Sequence, residues 1–382
     1  MRTGMSLLGG AIGLMLLLAA CSSGDTAQST SQSTTSAVTS PPTSREPRKP
    51  FRPSSTSSPQ PTSPSTSSSS TVTPIYLTIF SHNERTIARY GKFRDNLDDY
   101  LTYRANLIDV AELLHRYGVH YGWQTDYLVI EAMDKFEEQA LAMDPEATSG
   151  KPVLQYLVED LGVSVDPHAH ECITPPNRGD CGDRDYNYAD VAYVIGELGG
   201  VEPTGVIGGT SEAERTVGDF GSCIQGNVYD YAWCPDVLTG YAGVSGGHAN
   251  DDHHSGVWRP TEFNDTDFLI NDPAGPLANV GRGYSLGAFS GSTFGGPNPL
   301  DYIEGLAERL RTGEAEPGRM YTATLNFNED QFIENDWLDT LEGILVRLQP
   351  LVDEGRVIYT NFVETVDVWK SVYDSQPNIY AY

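Results

Sequence analysis

The chain has 382 residues, with 24 lysines and arginines against 52 aspartates and glutamates, for a net charge of −28 at pH 7. That balance argues against nucleic-acid binding, which rests on cationic contacts with phosphate, and favours neutral or cationic partners. The same acidic excess suits solubility in high salt, which says nothing about activity.

Met1 to Ala20 has one arginine, then an apolar and small-residue run ending Leu18-Ala19-Ala20-Cys21. An apolar core of about 7–15 residues closed by small residues is the pattern of a removable signal peptide, and it is too short for a comfortable membrane span. The Leu-Ala-Ala-Cys ending resembles the lipobox of bacterial lipoproteins. That resemblance implies cleavage before Cys21, a diacylglycerol on its sulfur, and a mature protein held at the membrane of the cell envelope, outside the cytoplasm. An ordinary secretory signal followed by a chance cysteine is the alternative. Residues 21–74 are mostly Ser, Thr, Pro and Gln, too poor in large apolar side chains to offset their ordering entropy, and read as a disordered tether. They also differ in charge: residues 1–74 carry five basic and two acidic side chains, so residues 75–382 hold a net −31.

From Ile75 the chain reads as one α/β domain. Ile75–Phe80 is a buried strand, and Leu101–Tyr117 an amphipathic helix stopped by Gly118. His120–Gln124 is a second strand, ending near Asp126, and helix follows from Leu128 to Met143. A helix at Val153–Leu161 leads into a strand ending Asp166-Pro167-His168-Ala169-His170. Tyr188–Leu198 is helical and Thr204–Gly208 a fourth strand. The span 208–299, rich in Gly, Asp and aromatics, resists reading apart from a strand at Gly256–Arg259. Regularity returns with helix Leu300–Thr312, strand Met320–Leu325, helix Leu338–Glu354, strand Val357–Thr360 and a last element at Val363–Tyr373. About seven βα units in series imply a (β/α)7–8 barrel-like sheet with its strand ends gathered at one mouth.

His168 and His170 are separated by one residue at a strand end. Residues i and i+2 of a strand share a face about 7 Å apart, so two neutral imidazoles there can close on one divalent cation. Two unconnected surface histidines at a strand exit are the plainer alternative. His82 and Glu84 form a second i, i+2 pair at the first strand's end. Three imidazoles and a carboxylate make up the composition of an open catalytic metal site, with zinc the first candidate: His82, His168 and His170 as ligands, and a carboxylate to take a proton from water. Glu84 is the first choice for that base, with Asp126 and Glu171 behind it. Asp166 and Glu171 are equally suited to orienting a histidine through its other nitrogen. His115 and His120 read as structural. His248, His253 and His254 sit in an acidic loop where exposure is the default, although one of them could reach the mouth.

Five cysteines, less Cys21, leave an even set in an exported chain. The short local pairings Cys172–Cys181 and Cys223–Cys234 are preferred among the three possible; no Cys-x-x-Cys pair supports zinc.

The pattern of Ser81-His82-Asn83-Glu84 after the first strand, His168-Ala169-His170 after a later one, and Ile358–Glu364 before a closing helix resembles the polysaccharide deacetylases and the wider glycoside hydrolase/deacetylase barrel superfamily. The resemblance implies a barrel fold, a divalent metal and hydrolysis of an acyl group on carbohydrate. In that family an acidic pair stands at the first position and His-x-x-x-His at the second, so histidine with glutamate, and a spacing of two, depart from it here. Trp123, Tyr188 and Trp258, with Tyr127, Tyr186 and Trp233 beside them, are candidates to stack on sugar faces, and Asn326, Asn328 and Glu329 to complete the rim. Partial burial as packing is the plainer reading of any one of these aromatics. A two-carboxylate glycosidase using Glu84 with Asp126 or Glu329, and a non-catalytic carbohydrate-binding lipoprotein, are the competing functions.

Overall fold

The computed structural model of the chain describes residues 72–83, 95–169, 186–208, 215–239, 254–264, 266–282, 299–328 and 337–381. The expected signal peptide, Cys21 and most of the tether lie outside these residues, as does the Cys172–Cys181 pairing. In chain order the strands are β1 (Ile75–Asn83), β2 (Gly122–Thr125), β3 (Ser164–Pro167), β4 (Val206–Ile207), β5 (Ile224–Gln225), β6 (Ala232–Trp233), β7 (Val237–Leu238), β8 (His254–Trp258), β9 (Ala278–Arg282), β10 (Tyr321–Asn328), β11 (Val357–Tyr359) and β12 (Tyr380–Ala381). The α-helices are α1 (Leu97–Arg116), α2 (Tyr127–Met143), α3 (Val153–Glu159), α4 (Tyr188–Glu197), α5 (Pro299–Thr312), α6 (Trp337–Asp353) and α7 (Phe362–Val372).

β1 is the hub, and all nine of its residues are buried, as a strand covered on both faces requires. One edge pairs in parallel with β10, from Ile75↔Tyr321 to His82↔Asn328. The other edge is shared, with β11 against Ile75–Leu77 and β2 against Phe80–Asn83. β2 then pairs with β3, again in parallel. A second sheet runs β12-β8-β9-β7-β4. Its strands β4, β7 and β9 are parallel, while β8 pairs antiparallel with both β9 and β12. The succession of parallel units expected from the sequence therefore holds for the first sheet and gives way in the second. The sheets meet twice. His168 and Gly208 form a parallel bridge just beyond β3 and β4, and at the other end Ser255 of β8 exchanges hydrogen bonds of 2.8 Å with the backbone of Thr322 on β10. The result is barrel-like. Gly256 lets the segment before β12 lie close against β8: its φ is +109°, and a Cβ there would strike the backbone of Asn378.

Local signals explain the helices. α1 starts at Asn96, whose side chain accepts the N–H of Asp98, carries Asp98 and Asp99 in its first turn and His115 and Arg116 in its last, and is followed by Gly118 at φ +71°; cap, macrodipole complement and left-handed glycine all agree. α4 and α7 each begin with a capping box, Asn187 with Asp190 and Asn361 with Glu364.

Strand alternation sorts the first sheet into two faces. Ile75, Leu77, Ile79, Trp123, Val165, Tyr321, Ala323 and Leu325 belong to the large core with the helices. Tyr76 and Phe80 point the other way and join Val206, Val237, Val257, Ala278 and Val280, closed over by Phe362, Val366 and Trp369 of α7. Thr78, His82, Gln124, Asp166, Thr324 and Asn326 share that second face by register. The ionisable and amide side chains of this face thus lie toward the strands' C-terminal ends, and apolar side chains with threonines toward their N-terminal ends.

Cys223 and Cys234 are bonded across the mouth of the β5–β6 hairpin. Closing a loop of this size stabilises by about 3 kcal/mol on the chain-entropy account. Replacing both cysteines by serine should lower unfolding free energy by about 2–3 kcal/mol in a denaturant titration, and an unchanged midpoint would show that the bond adds nothing to stability.

Candidate functional site

The site is built from the ends of β1 and β3. His82 is the last inward-facing residue of β1, and His168 follows β3 directly, its N–H donating to Thr125 O at 2.8 Å. Their rings lie 4.8 Å apart, centroid to centroid, tilted by 50°. Both are buried, at 7% and 2% exposure, and Phe80 packs beside His82 at 5.5 Å. Two imidazoles so placed in the polar end of an interior suit a shared divalent ion in donor type and separation. Among the described residues no group of three His, Cys, Asp or Glu side chains is arranged to hold a metal. The remaining members of the expected set, Glu84 and His170, lie outside the described residues, with Glu171, His248, His253 and Glu329.

Behind the histidines, Asp166 is fully buried in register with Gln124 and His82. Its oxygens accept from Thr204 Oγ1 at 2.7 Å and Gln124 Nε2 at 3.3 Å. Burial pushes its carboxyl up to about 6 against the pull of those two hydrogen bonds. Asp166 therefore does not orient a histidine, one of the roles considered for it; the i, i+2 rule places it on the right face, but the nearer donors take its oxygens.

Asp126, a candidate base, caps a helix. One carboxylate oxygen accepts Val129 N–H at 3.0 Å at the start of α2, and its own N–H bonds Asn83 O at 3.1 Å. Serine keeps the capping geometry while removing the carboxylate. Asp126→Ser should therefore keep stability within about 0.5 kcal/mol and, if capping is the whole role, leave turnover unchanged; a fall of about 100-fold would support the base assignment.

Trp123, Tyr188 and Trp258, expected at the rim, lie in the core. All three are fully buried. Trp123 lies on the helix-facing side of β2, Tyr188 stacks on Trp233 at 5.9 Å, and Trp258 packs on Phe268 at 5.8 Å while its Nε1 donates to Phe268 O. Each stands on a strand or helix covered on both sides, not in the loop beyond it, so packing takes the ring faces. Trp233 and Tyr186 are buried as well. Asn326, in register with Phe80, is also buried, at the polar end. His115 Nδ1 contacts Leu161 O at 3.1 Å and His120 Nδ1 contacts Glu364 Oε2 at 2.6 Å, both away from His82 and His168.

Two features escaped the sequence reading. Arg282, at the end of β9, is fully buried, donates from Nε to Thr239 O at 2.7 Å, and sets its guanidinium 5.6 Å from the Phe80 ring. That places a fixed cation in the polar end of the interior; only the basic residue itself, in a span with no readable periodicity, could have signalled it. On the helix-facing side, Asn83 donates to Ser81 Oγ at 2.7 Å and accepts from Tyr103 OH at 3.0 Å, and Ser81 also bonds Tyr121 OH. This network stiffens the strand end that carries His82.

No protein-family profile and no curated protein matches the chain. Solved structures similar to it include the Puue allantoinase, at 14% identity and TM-score 0.46, covering 79% of this chain and 92% of that one. A probable polysaccharide deacetylase from Pseudomonas aeruginosa PAO1 follows at 13% and 0.45, covering 78% and 91%. A GH57-type branching enzyme from Pyrococcus horikoshii stands at 12% and 0.43, covering 78% and 70%.

Proposed function

We propose that the chain is a metal-dependent hydrolase acting on carbohydrate by removing an acyl group, anchored through Cys21 to the membrane of the cell envelope. The observation that carries this reading is the meeting of His82 and His168 at the polar end of a barrel-like interior, where α/β folds keep their chemistry. His82, His168 and His170 would hold a divalent ion, zinc by donor type. When bound, such an ion lowers the pKa of water toward neutrality and polarises an acyl carbonyl. Glu84, two residues beyond His82, takes the proton of the attacking water and returns one to the leaving group. Phe80 and the apolar lower interior keep bulk water from the imidazoles, and Arg282 supplies a fixed positive charge at the same end.

The test is an assay on acetylated and de-acetylated glycans, with and without chelator, reading acetate and reducing ends separately. Metal-dependent acetate release is expected, and Glu84→Gln should keep the fold yet cost on the order of 100-fold or more in turnover. Chelator-insensitive reducing ends would instead identify a two-carboxylate glycosidase, and binding without either product a carbohydrate-binding lipoprotein. Mass analysis of the mature protein checks the anchor: a diacylated N-terminal Cys21 is expected, and an unmodified one overturns that part.

A further inference from the structure

Of the aromatic residues expected to meet sugar, Trp123, Tyr188, Trp233 and Trp258 are in the core, but Tyr127 and Tyr186 belong to a strip of tyrosines that reaches the surface. Tyr127, the first residue of α2, stacks on Tyr186 with centroids 3.9 Å apart. Tyr186 meets Tyr229 at 5.9 Å, Tyr229 stacks on Tyr193 at 4.2 Å, and Tyr193 abuts Tyr231 at 5.7 Å. Apart from Tyr186, these tyrosines are half-buried. The strip starts where Tyr127 follows Asp126 at the C-terminal end of β2 and runs along α4 to the β5–β6 hairpin.

Two devices hold it still. The carboxylate of Asp190 on α4 accepts the backbone N–H groups of Asn227, Val228 and Tyr229, each at 2.9 Å. The Cys223–Cys234 bond closes the hairpin behind them. Aromatic groups fixed in advance lose little freedom when a ligand arrives.

The border of the strip is acidic. Tyr186 OH donates to Glu131 Oε1 at 3.2 Å. Burial, followed by the charges of Glu202 and Glu197, pushes the Tyr231 hydroxyl up, and both glutamates are exposed. Ring faces edged by carboxylates attract an ammonium group, by cation–π interaction at the face and Coulomb attraction at the edge. An acidic or sulfated polymer is repelled by the same border.

We propose that this tyrosine strip binds a polysaccharide bearing free amino groups. On the hydrolase reading above, it holds the product strand: hydrolysis of an N-acetyl group breaks the amide C–N bond, puts the water's oxygen on the acyl carbon and protons on nitrogen, and so leaves acetate and a sugar ammonium beside the strip. The binding itself does not require that reading.

The experiment is calorimetric titration of the full chain with chitosan oligosaccharides and with fully N-acetylated oligomers of equal length, at low and high salt. The wild type should bind the amine-bearing series about 10-fold tighter, with the preference shrinking at high salt. The triple variant Glu131→Gln, Glu197→Gln, Glu202→Gln should lose that preference without a shift in its thermal transition. A remote charge-matched variant, Glu314→Gln, Glu316→Gln, Asp339→Asn, should keep it, as should His168→Ala. Equal binding of the two series by the wild type, an unaltered preference in the first triple variant, or the same loss in the remote one would overturn the proposal. Failure of the hydrolase reading looks different: no acetate is released while the amine preference persists.

Discussion

His168→Ala and His82→Ala are each expected to lose the divalent ion and about a thousand-fold or more of turnover, since the charge stabilisation such an ion supplies amounts to several kcal/mol. The fold should survive, because the contacts that place residue 168 are backbone ones, its N–H to Thr125 O at 2.8 Å and its bridge to Gly208. Elemental analysis of the purified variants should read close to zero metal against about one ion in the parent. His120→Ala, which removes an exposed ring paired with Glu364, should change neither reading. Full metal retained in both His82→Ala and His168→Ala would sink the assignment, and metal lost without loss of turnover would make the ion structural.

Glu137→Leu should destabilise the domain by about 3–5 kcal/mol, the cost of leaving one member of a buried ion pair without the other. Glu137 accepts from Arg104 Nε and Nη2 at 3.0–3.1 Å, from Tyr100 OH at 2.5 Å and from Val153 N–H at 2.8 Å, so one carboxylate ties α1, α2 and the start of α3 together. The two charged side chains are 5% and 12% exposed, which leaves water little part in screening them. Adding Arg104→Met to Glu137→Leu should recover most of the loss, because no uncompensated guanidinium then remains buried. Chemical denaturation followed by far-ultraviolet circular dichroism measures both variants. Equal destabilisation of the single and double variants would show that volume and shape, not charge, decide the matter.

Where structure is specified within a dozen neighbouring residues, it was readable. The helices later found at 97–116, 127–143, 299–312 and 337–353 carry apolar residues at helical spacing. The strands at 75–83 and 321–328 are runs that only a doubly covered sheet accommodates. That His82 and His168 share a face of the sheet also follows from alternation and from the rule that parallel strands present their C-terminal ends together. The second sheet was readable only at Thr204–Gly208 and Gly256–Arg259, where β4 and β8 lie; β7 is two residues long and two residues have no period, so partners distant in the chain make it a strand. Pairing direction is equally non-local, so β8, which runs against both its neighbours, could not be told from a parallel strand. Burial depends on what packs from the other side, which moved Trp123, Tyr188 and Trp258 from an expected rim into the core and left the tyrosines of α4 and the β5–β6 hairpin at the surface. Chain-local chemistry thus determined the helices, the long strands and the histidines' face. Only the tertiary structure decided that those two rings are neighbours, that Asp166 answers to Thr204 and Gln124, and that Arg282 shares their end of the interior, because each depends on a contact between segments far apart in sequence.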